Sequence, residues 1–259
     1  YQIDAFADAP FTGNPAAICP LESWLAEHTM QSIALENNLS ETAFLVGGDG
    51  AYDLRWFTPV HEVDLCGHAT LASAYVVFNT LEPDCTKVVF STRSGDLTVV
   101  RDGDHLTMNF PAIHSQPVAT PAGLAEALGL DIEQTLTSNQ DMMVVVSDVA
   151  AIATLQPDLA FIAANIEERG LIITATGAEG SGFDFVSRFF APAAGIDEDP
   201  VTGSAHCQLV PYWAERLGQT TFVARQMSPR GGTVHCSLEG ERVNLSGRAI
   251  PYLHGTIDL

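Results

Sequence analysis

The sequence predicts an α+β protein built from two pseudo-symmetric domains, each a mostly antiparallel sheet or barrel wrapped around a central buried helix. The first observation behind this is an internal repeat. Arg55-Trp56-Phe57-Thr58-Pro59 lies over Arg188-Phe189-Phe190-Ala191-Pro192, and each copy follows an aromatic-Asp-apolar start, Tyr52-Asp53-Leu54 and Phe183-Asp184-Phe185. The second is what comes after each copy: an acidic turn, then a small, nearly all-apolar run beginning at Gly67-His68-Ala69 or Gly203-Ser204-Ala205. A helix apolar on every side is a buried helix. The third is size, because 259 residues with 46% hydrophobic and only 17% charged side chains require a sizeable core, and such a length suits two halves with a core each.

Element by element, Gln2 to Phe6 alternates polar and apolar and reads as a strand running into a tight loop at Gly13-Asn14-Pro15. The stretch from Leu21 to Asn37 carries Trp24, Leu25, Ile33 and Leu35 at helical spacing, and Asn37-Asn38 stops it. Ser40 to Val46 reads as a strand with Glu41 near its beginning, and Ala51 to Thr58 as its partner. Lys87 to Met108 and Phe222 to Leu245 read as strands with glycine turns, and Leu124 to Leu128 and Leu159 to Glu168 as outer helices. Pro211 removes one backbone hydrogen bond from the second central helix and predicts a kink there. The domain boundary falls in the segment from Pro111 to Pro121, giving halves 1–112 and 113–259, with the last strand free to pack on the first half.

Composition excludes several functions. Eleven Lys and Arg against 32 Asp and Glu leave a net charge of −21, so no basic stripe exists to neutralise phosphates. Nucleic acid and anionic membrane are therefore not expected partners. Lys87 is the only lysine, which removes Schiff-base and Walker-loop chemistry. No GxGxxG, GxSxG or HExxH occurs, and no apolar run approaches the roughly 18 residues of a membrane span. Five cysteines without a CxxC pair suit reduced thiols in a cytoplasmic protein.

If the two central helices meet across a pseudo-twofold axis, their N-termini at Gly67 and Gly203 point into one cleft and offer free N–H groups to a carboxylate. His68 and Ser204 hold the second helical position in their copies, and Asp199 lies five residues before Ser204. Such residues serve equally well as helix caps, and Glu41 could be a turn carboxylate holding backbone amides.

The chain as a whole resembles the family of the phenazine-biosynthesis isomerase PhzF, of the diaminopimelate-epimerase-like fold. The resemblance rests on Asp4-Ala-Phe with Gly13-Asn-Pro-Ala-Ala17, Asn38-Leu-Ser-Glu-Thr-Ala-Phe44, Phe57-Thr-Pro59 with Gly67-His68, and Asp199-Pro-Val-Thr-Gly-Ser204. A weaker match is Arg225-Gln226 with Ser228 and Arg230-Gly-Gly232. It implies that Glu41 is the general acid/base, completed by His68, Asp199 and Ser204, with Asn14, Gly67 and Gly203 against the substrate. It implies no cofactor and no metal, a small carboxylate-bearing substrate and a homodimer. One carboxyl can both take a proton from carbon and return it to another carbon. His68 at a helix mouth is expected to stay mostly neutral. Ala-Thr after His68, where proline is expected, leaves the phenazine substrate outside what the resemblance carries.

Two alternatives accompany this reading. Relatives with this fold that epimerise amino acids use two thiols, and Cys66 stands before Gly67 as the first of them would, but Pro200-Val-Thr-Gly203 offers no second, and Cys207 reads as core. A diverged small-molecule-binding protein could use the same cleft without catalysis. His61, Cys66 and His68 lie within eight residues, but their spacing is not a recognised zinc pattern.

Overall fold

In the computed structural model, which describes residues 1–259, the chain begins with β1 (Gln2–Ala5), β2 (Asn14–Leu21), α1 (Glu27–Asn37), β3 (Glu41–Gly48), β4 (Ala51–Phe57) and β5 (Glu62–Val63). The first central helix, α2 (Gly67–Val76), runs on into a π-helical turn at Val77–Leu81 and is followed by β6 (Lys87–Thr92), β7 (Gly95–Asp102) and β8 (His105–Pro111). The second part holds β9 (Gln116–Pro117), α3 (Leu124–Leu128), β10 (Ile132–Thr137), β11 (Asp141–Val146), α4 (Val149–Thr154), α5 (Leu159–Asn165), β12 (Gly170–Thr176) and β13 (Phe185–Phe190). It continues with α6 (Gly203–Leu217), β14 (Thr221–Gln226), β15 (Gly232–Glu239) and β16 (Arg242–Gly247), and the chain closes on β17 (Ala249–Leu253).

The repeat read in the sequence is a repeat of strand pairing. In the first copy β1–β2 is antiparallel, β2–β3 parallel, β3–β4 antiparallel, β4–β6 parallel and β6–β7 antiparallel. In the second, β10–β11, β11–β12, β12–β13, β13–β14 and β14–β15 follow the same alternation. A parallel pair needs a crossover. Each crossover contains helix: α1 and α2 in one copy, α4 with α5 and then α6 in the other.

The repeated arginines explain why the motif recurs. Arg55 on β4 makes a two-pronged ion pair with Glu62, both bonds 2.7 Å, and lies 5.2 Å from the Phe57 ring. Arg188 on β13 does the same with Glu198, again at 2.7 Å, over Phe190 at 5.0 Å. A planar guanidinium that meets a carboxylate fork while stacking on an aromatic face is a task lysine cannot perform. Each pair fastens the end of a strand to the acidic turn that leads toward a central helix.

Both central helices are buried, as their composition requires. In α2 the residues His68 to Ala74 and Val76 are buried, and the helix packs on β1, β2 and β3. Its hydroxyls turn back onto the helix, Thr70 to the Cys66 carbonyl at 2.6 Å and Ser73 to Ala69 at 2.7 Å, so neither hydroxyl is left bare. In α6, Trp213 stacks on Phe185 at 5.8 Å and donates to Thr174 at 3.1 Å. Pro211 cannot donate to the carbonyl of Cys207 four residues back; the Ile113 N–H does so instead, at 2.9 Å.

Several boundaries differ from those read in the sequence. Helix α1 starts at Glu27, because the residues up to Leu21 are taken by β2 in its pairing with β3. Its buried face is Met30, Ile33 and Ala34, whereas Leu35 is 61% exposed. Asn38 ends it in the left-handed conformation at φ 49°. Asn14 and Pro15 belong to β2, opposite Ala5 and Asp4, and not to a loop. Helix α4, unforeseen, is capped by Asp148, whose carboxylate accepts from the Ala150 and Ala151 amides. The chain divides into Tyr1–Asn109 with Ser246–Leu259, and Phe110–Leu245. The cut read at 112 lies close to the division after Asn109, and the last strand, read as free to pack on the first half, is β17, which pairs antiparallel with β1.

Candidate active site

In the first unit, strand β2 begins with Asn14, strand β3 with Glu41, and helix α2 with Gly67 and His68. β2 and β3 are parallel neighbours, and α2 lies against both, so three non-local segments bring their first residues together. His68 is the hub. Its Nε2 is 3.1 Å from Glu41 Oε2, its Nδ1 is 3.2 Å from the Asn14 amide nitrogen and 3.5 Å from Cys66 Sγ. All four side chains are buried, with Glu41 9% and His68 4% exposed. Gly67 is the first residue of α2 and is half-buried.

Burial opposes an imidazolium at His68, but the negative charge that Cys66 and Glu41 can carry outweighs it and lifts the pKa well above the ordinary histidine value. Burial, with Glu41 adding to it, pushes the Cys66 thiol up to about 11. Cys66 is thus a thiol at neutral pH, which leaves Glu41 as the carboxylate at contact distance from the ring. Burial and the helix dipole disfavour the imidazolium, while the Glu41 carboxylate at contact distance favours it.

Glu41, Cys66 and His68 all place a ligand-type atom within 4.8 Å of one another. Glu41 lies nearest Nε2 and Cys66 nearest Nδ1 of the same ring. His61, the third member of the sequence trio, sits in an exposed turn outside this group.

The second unit holds Asp199 and Ser204. Thr202, the N-cap residue of α6, donates its hydroxyl to Asp199 Oδ2 at 2.5 Å. Gln226 on β14 ties the turn together, accepting from the Thr202 N–H at 2.8 Å and donating to the Asp199 carbonyl at 2.8 Å. Ser228 donates to the Pro200 carbonyl at 2.8 Å. Gly203 starts α6, and Ser204 is its second residue. Neither His68 nor Ser204 is a cap: the N-cap positions are Cys66 and Thr202, and no side chain caps either helix.

Two residues beside Ser204 escaped the sequence reading. Arg169 donates to Ser204 Oγ at 2.8 Å, and it grips Asp141 through Nε at 3.0 Å and through Nη2. Asp141 is 1% exposed. Burial raises its carboxyl pKa, and Arg169 offsets part of that rise. The available signals were a rare cation in so acidic a chain and, for Gln226, its place in the late Arg225-Gln226 match. Cys207 is buried in α6 with its thiol pushed up to about 12 by burial, which is the core role read for it.

The doubled sheet with one buried helix per copy is the architecture of diaminopimelate-epimerase-like isomerases. In fold alone it matches a probable proline racemase of Agrobacterium radiobacter, at TM-score 0.68 and 9% identity over the whole of this chain and 92% of that one. The profile of the PhzC-PhzF family, phenazine biosynthesis-like proteins, matches residues 3–255. An uncharacterised isomerase of Pseudomonas aeruginosa is 54% identical, across all of this chain and 98% of that protein. The crystal structure of a PhzF family protein from Enterococcus faecalis superposes at TM-score 0.92 with 44% identity, covering 98% of both chains. The chain belongs to the PhzC-PhzF phenazine-biosynthesis-like family, and it is an isomerase.

Proposed function

We propose that this isomerase moves a proton between carbons of a small carboxylate-bearing metabolite, with Glu41 as the single general acid and base and without a cofactor. The observation that carries the reading is the buried pair itself, Glu41 Oε2 at 3.1 Å from His68 Nε2. Glu41, beside that ring, is the carboxylate placed to abstract a proton from carbon. The proton it gains can be returned to a second carbon of the same substrate, which is how one carboxyl serves both halves of the transfer.

His68 faces the Glu41 carboxylate through Nε2, and the Asn14 amide nitrogen lies 3.2 Å from its Nδ1. Asp199 and Ser204 are assigned to the same turnover, as the family resemblance implies. Each is locally braced, Asp199 by Thr202 and Ser204 by Arg169. The test is incorporation of deuterium from heavy water into small cyclic and amino carboxylates. The native enzyme labels its substrate, and Glu41→Gln, which keeps the shape but cannot accept a proton, does not.

One observation favours a second reading, a thiol-based epimerase: Cys66 Sγ lies 3.5 Å from His68 Nδ1. Inversion at carbon needs a second acid on the opposite face, and Cys207 is buried in the core. With its pKa pushed up to about 11, Cys66 also lacks the thiolate such chemistry starts from.

A further inference from the structure

We infer that Arg169 is a substrate-recognition residue of the second unit, binding a carboxylate group together with Ser204; the inference rests on the proposed acid/base reading only for the identity of the site. Three observations lead to it. The first is the donor count of the guanidinium. Nε and one Nη2 hydrogen go to Asp141, and the other Nη2 hydrogen goes to Ser204, while Nη1 donates to nothing in the protein.

The second is the polarity of the Ser204 hydroxyl. An arginine can only donate, so Ser204 must accept from it, and its own hydrogen is left to be given to something else. The groups gathered here, Nη1, the Ser204 hydroxyl and the Gly203 and Ser204 amides that open α6 without a capping side chain, are all donors. Such a set recognises an acceptor that carries no hydrogen, and a carboxylate answers that description.

The third is how the arginine is held. Its side chain is 46% exposed, an exposure at which a long side chain ordinarily moves. Here it is clamped by a buried carboxylate and lies over the Phe189 ring at 5.5 Å. Gly170, next in the chain, makes room for that ring, since a Cβ there would overlap it. A guanidinium fixed in direction but left half in solvent is preorganised for a ligand, because the entropy of ordering it is already spent in the fold. A salt bridge needed only for stability gains little from exposing one partner. Asp141 is a positioning residue in this arrangement, and Arg169 is the group that touches the ligand.

The experiment titrates the full-length chain with benzoate and, as the neutral control, benzamide, following chemical shifts by NMR. The native protein is expected to bind benzoate and not benzamide, with the Arg169 side-chain signal moving. Arg169→Gln should weaken benzoate by about 10-fold or more, the loss of a charge-assisted pair, and Arg169→Lys, which keeps charge but not the fork, should weaken it as well. Benzoate affinity within twofold of native in Arg169→Gln, or equal affinity for benzamide, overturns the inference, as does absence of benzoate binding. Thermal melting of Arg169→Lys alongside checks that the fold is intact. Glu41→Gln separates the two readings, because it removes the proposed base and leaves Arg169, Asp141 and Ser204 unsubstituted. Proton exchange at the native rate in that variant sinks the acid/base reading while leaving the carboxylate site standing.

Discussion

At the scale of the residue, the charge state of His68 is the sharpest consequence of the geometry. Its pKa in the folded protein lies above the ordinary value of about 6.5, so the stability it contributes is complete below that value and is lost as pH rises through the folded pKa. Glu41→Gln removes the carboxylate and leaves burial, which lowers the pKa. Nitrogen-15 NMR should therefore find His68 doubly protonated at pH 7 in the native protein and neutral in Glu41→Gln. The native fold should also lose more stability than the variant between pH 7 and pH 9. A neutral His68 ring in the native protein at pH 7 would contradict the account. That Glu41 and His68 matter could be read from their motifs, but their contact could not. It joins the start of β3 to the start of α2, and sequence spacing carries no sign of such a pairing. Arg169 and Asp141 were hidden for the same reason, Asp141 opening β11 and Arg169 immediately preceding its parallel neighbour β12.

Among the elements, the repeat was the most legible feature, because it fixes both the composition of the central helices and the acidic turn before each. Glu62 and Glu198 occupy those turns, answering Arg55 and Arg188. Helix α1 was legible only in part. Its apolar spacing was spread over residues that β2 and a loop also need, and the face it buries is narrower than the pattern suggested. At Pro211 the local rule stands, but its cost is lowered by tertiary structure. An interior proline ordinarily destabilises a helix by about 3 kcal/mol. Here the carbonyl it strands is occupied by Ile113. Pro211→Ala is accordingly expected to raise stability by less than about 1 kcal/mol in urea denaturation, since the new N–H competes for an acceptor already filled. A gain near the full helix-interior value would show that the Ile113 bond contributes little.

For the whole molecule, the two units share one sequence of strand pairings while differing in what they place at the helix mouth: Cys66-Gly67-His68 in one and Thr202-Gly203-Ser204 in the other. This asymmetry is the strongest argument for a carboxyl mechanism over a two-thiol one. The domain cut was read at 112, beside the division after Asn109, with the last strand left free to pack on the first half; what no local pattern marks is that β17 joins β1. Assembly follows from the family resemblance: a homodimer is expected, of about twice 27.7 kDa by light scattering at moderate salt. A monomer across micromolar concentrations would remove that expectation. At low salt the charge of −21 should weaken association, and added salt should restore it.

The central claim is that Glu41, beside His68, moves the proton. It is tested most directly by the rate of deuterium incorporation into one turned-over carboxylate, compared across the native enzyme, Glu41→Gln and Cys66→Ser. The account predicts a loss of about 10²-fold or more for Glu41→Gln, the scale of a positioned acid–base group. Cys66→Ser should keep most of the rate, because a hydroxyl can still sit beside Nδ1. Native exchange in Glu41→Gln, with exchange abolished in Cys66→Ser, would contradict it.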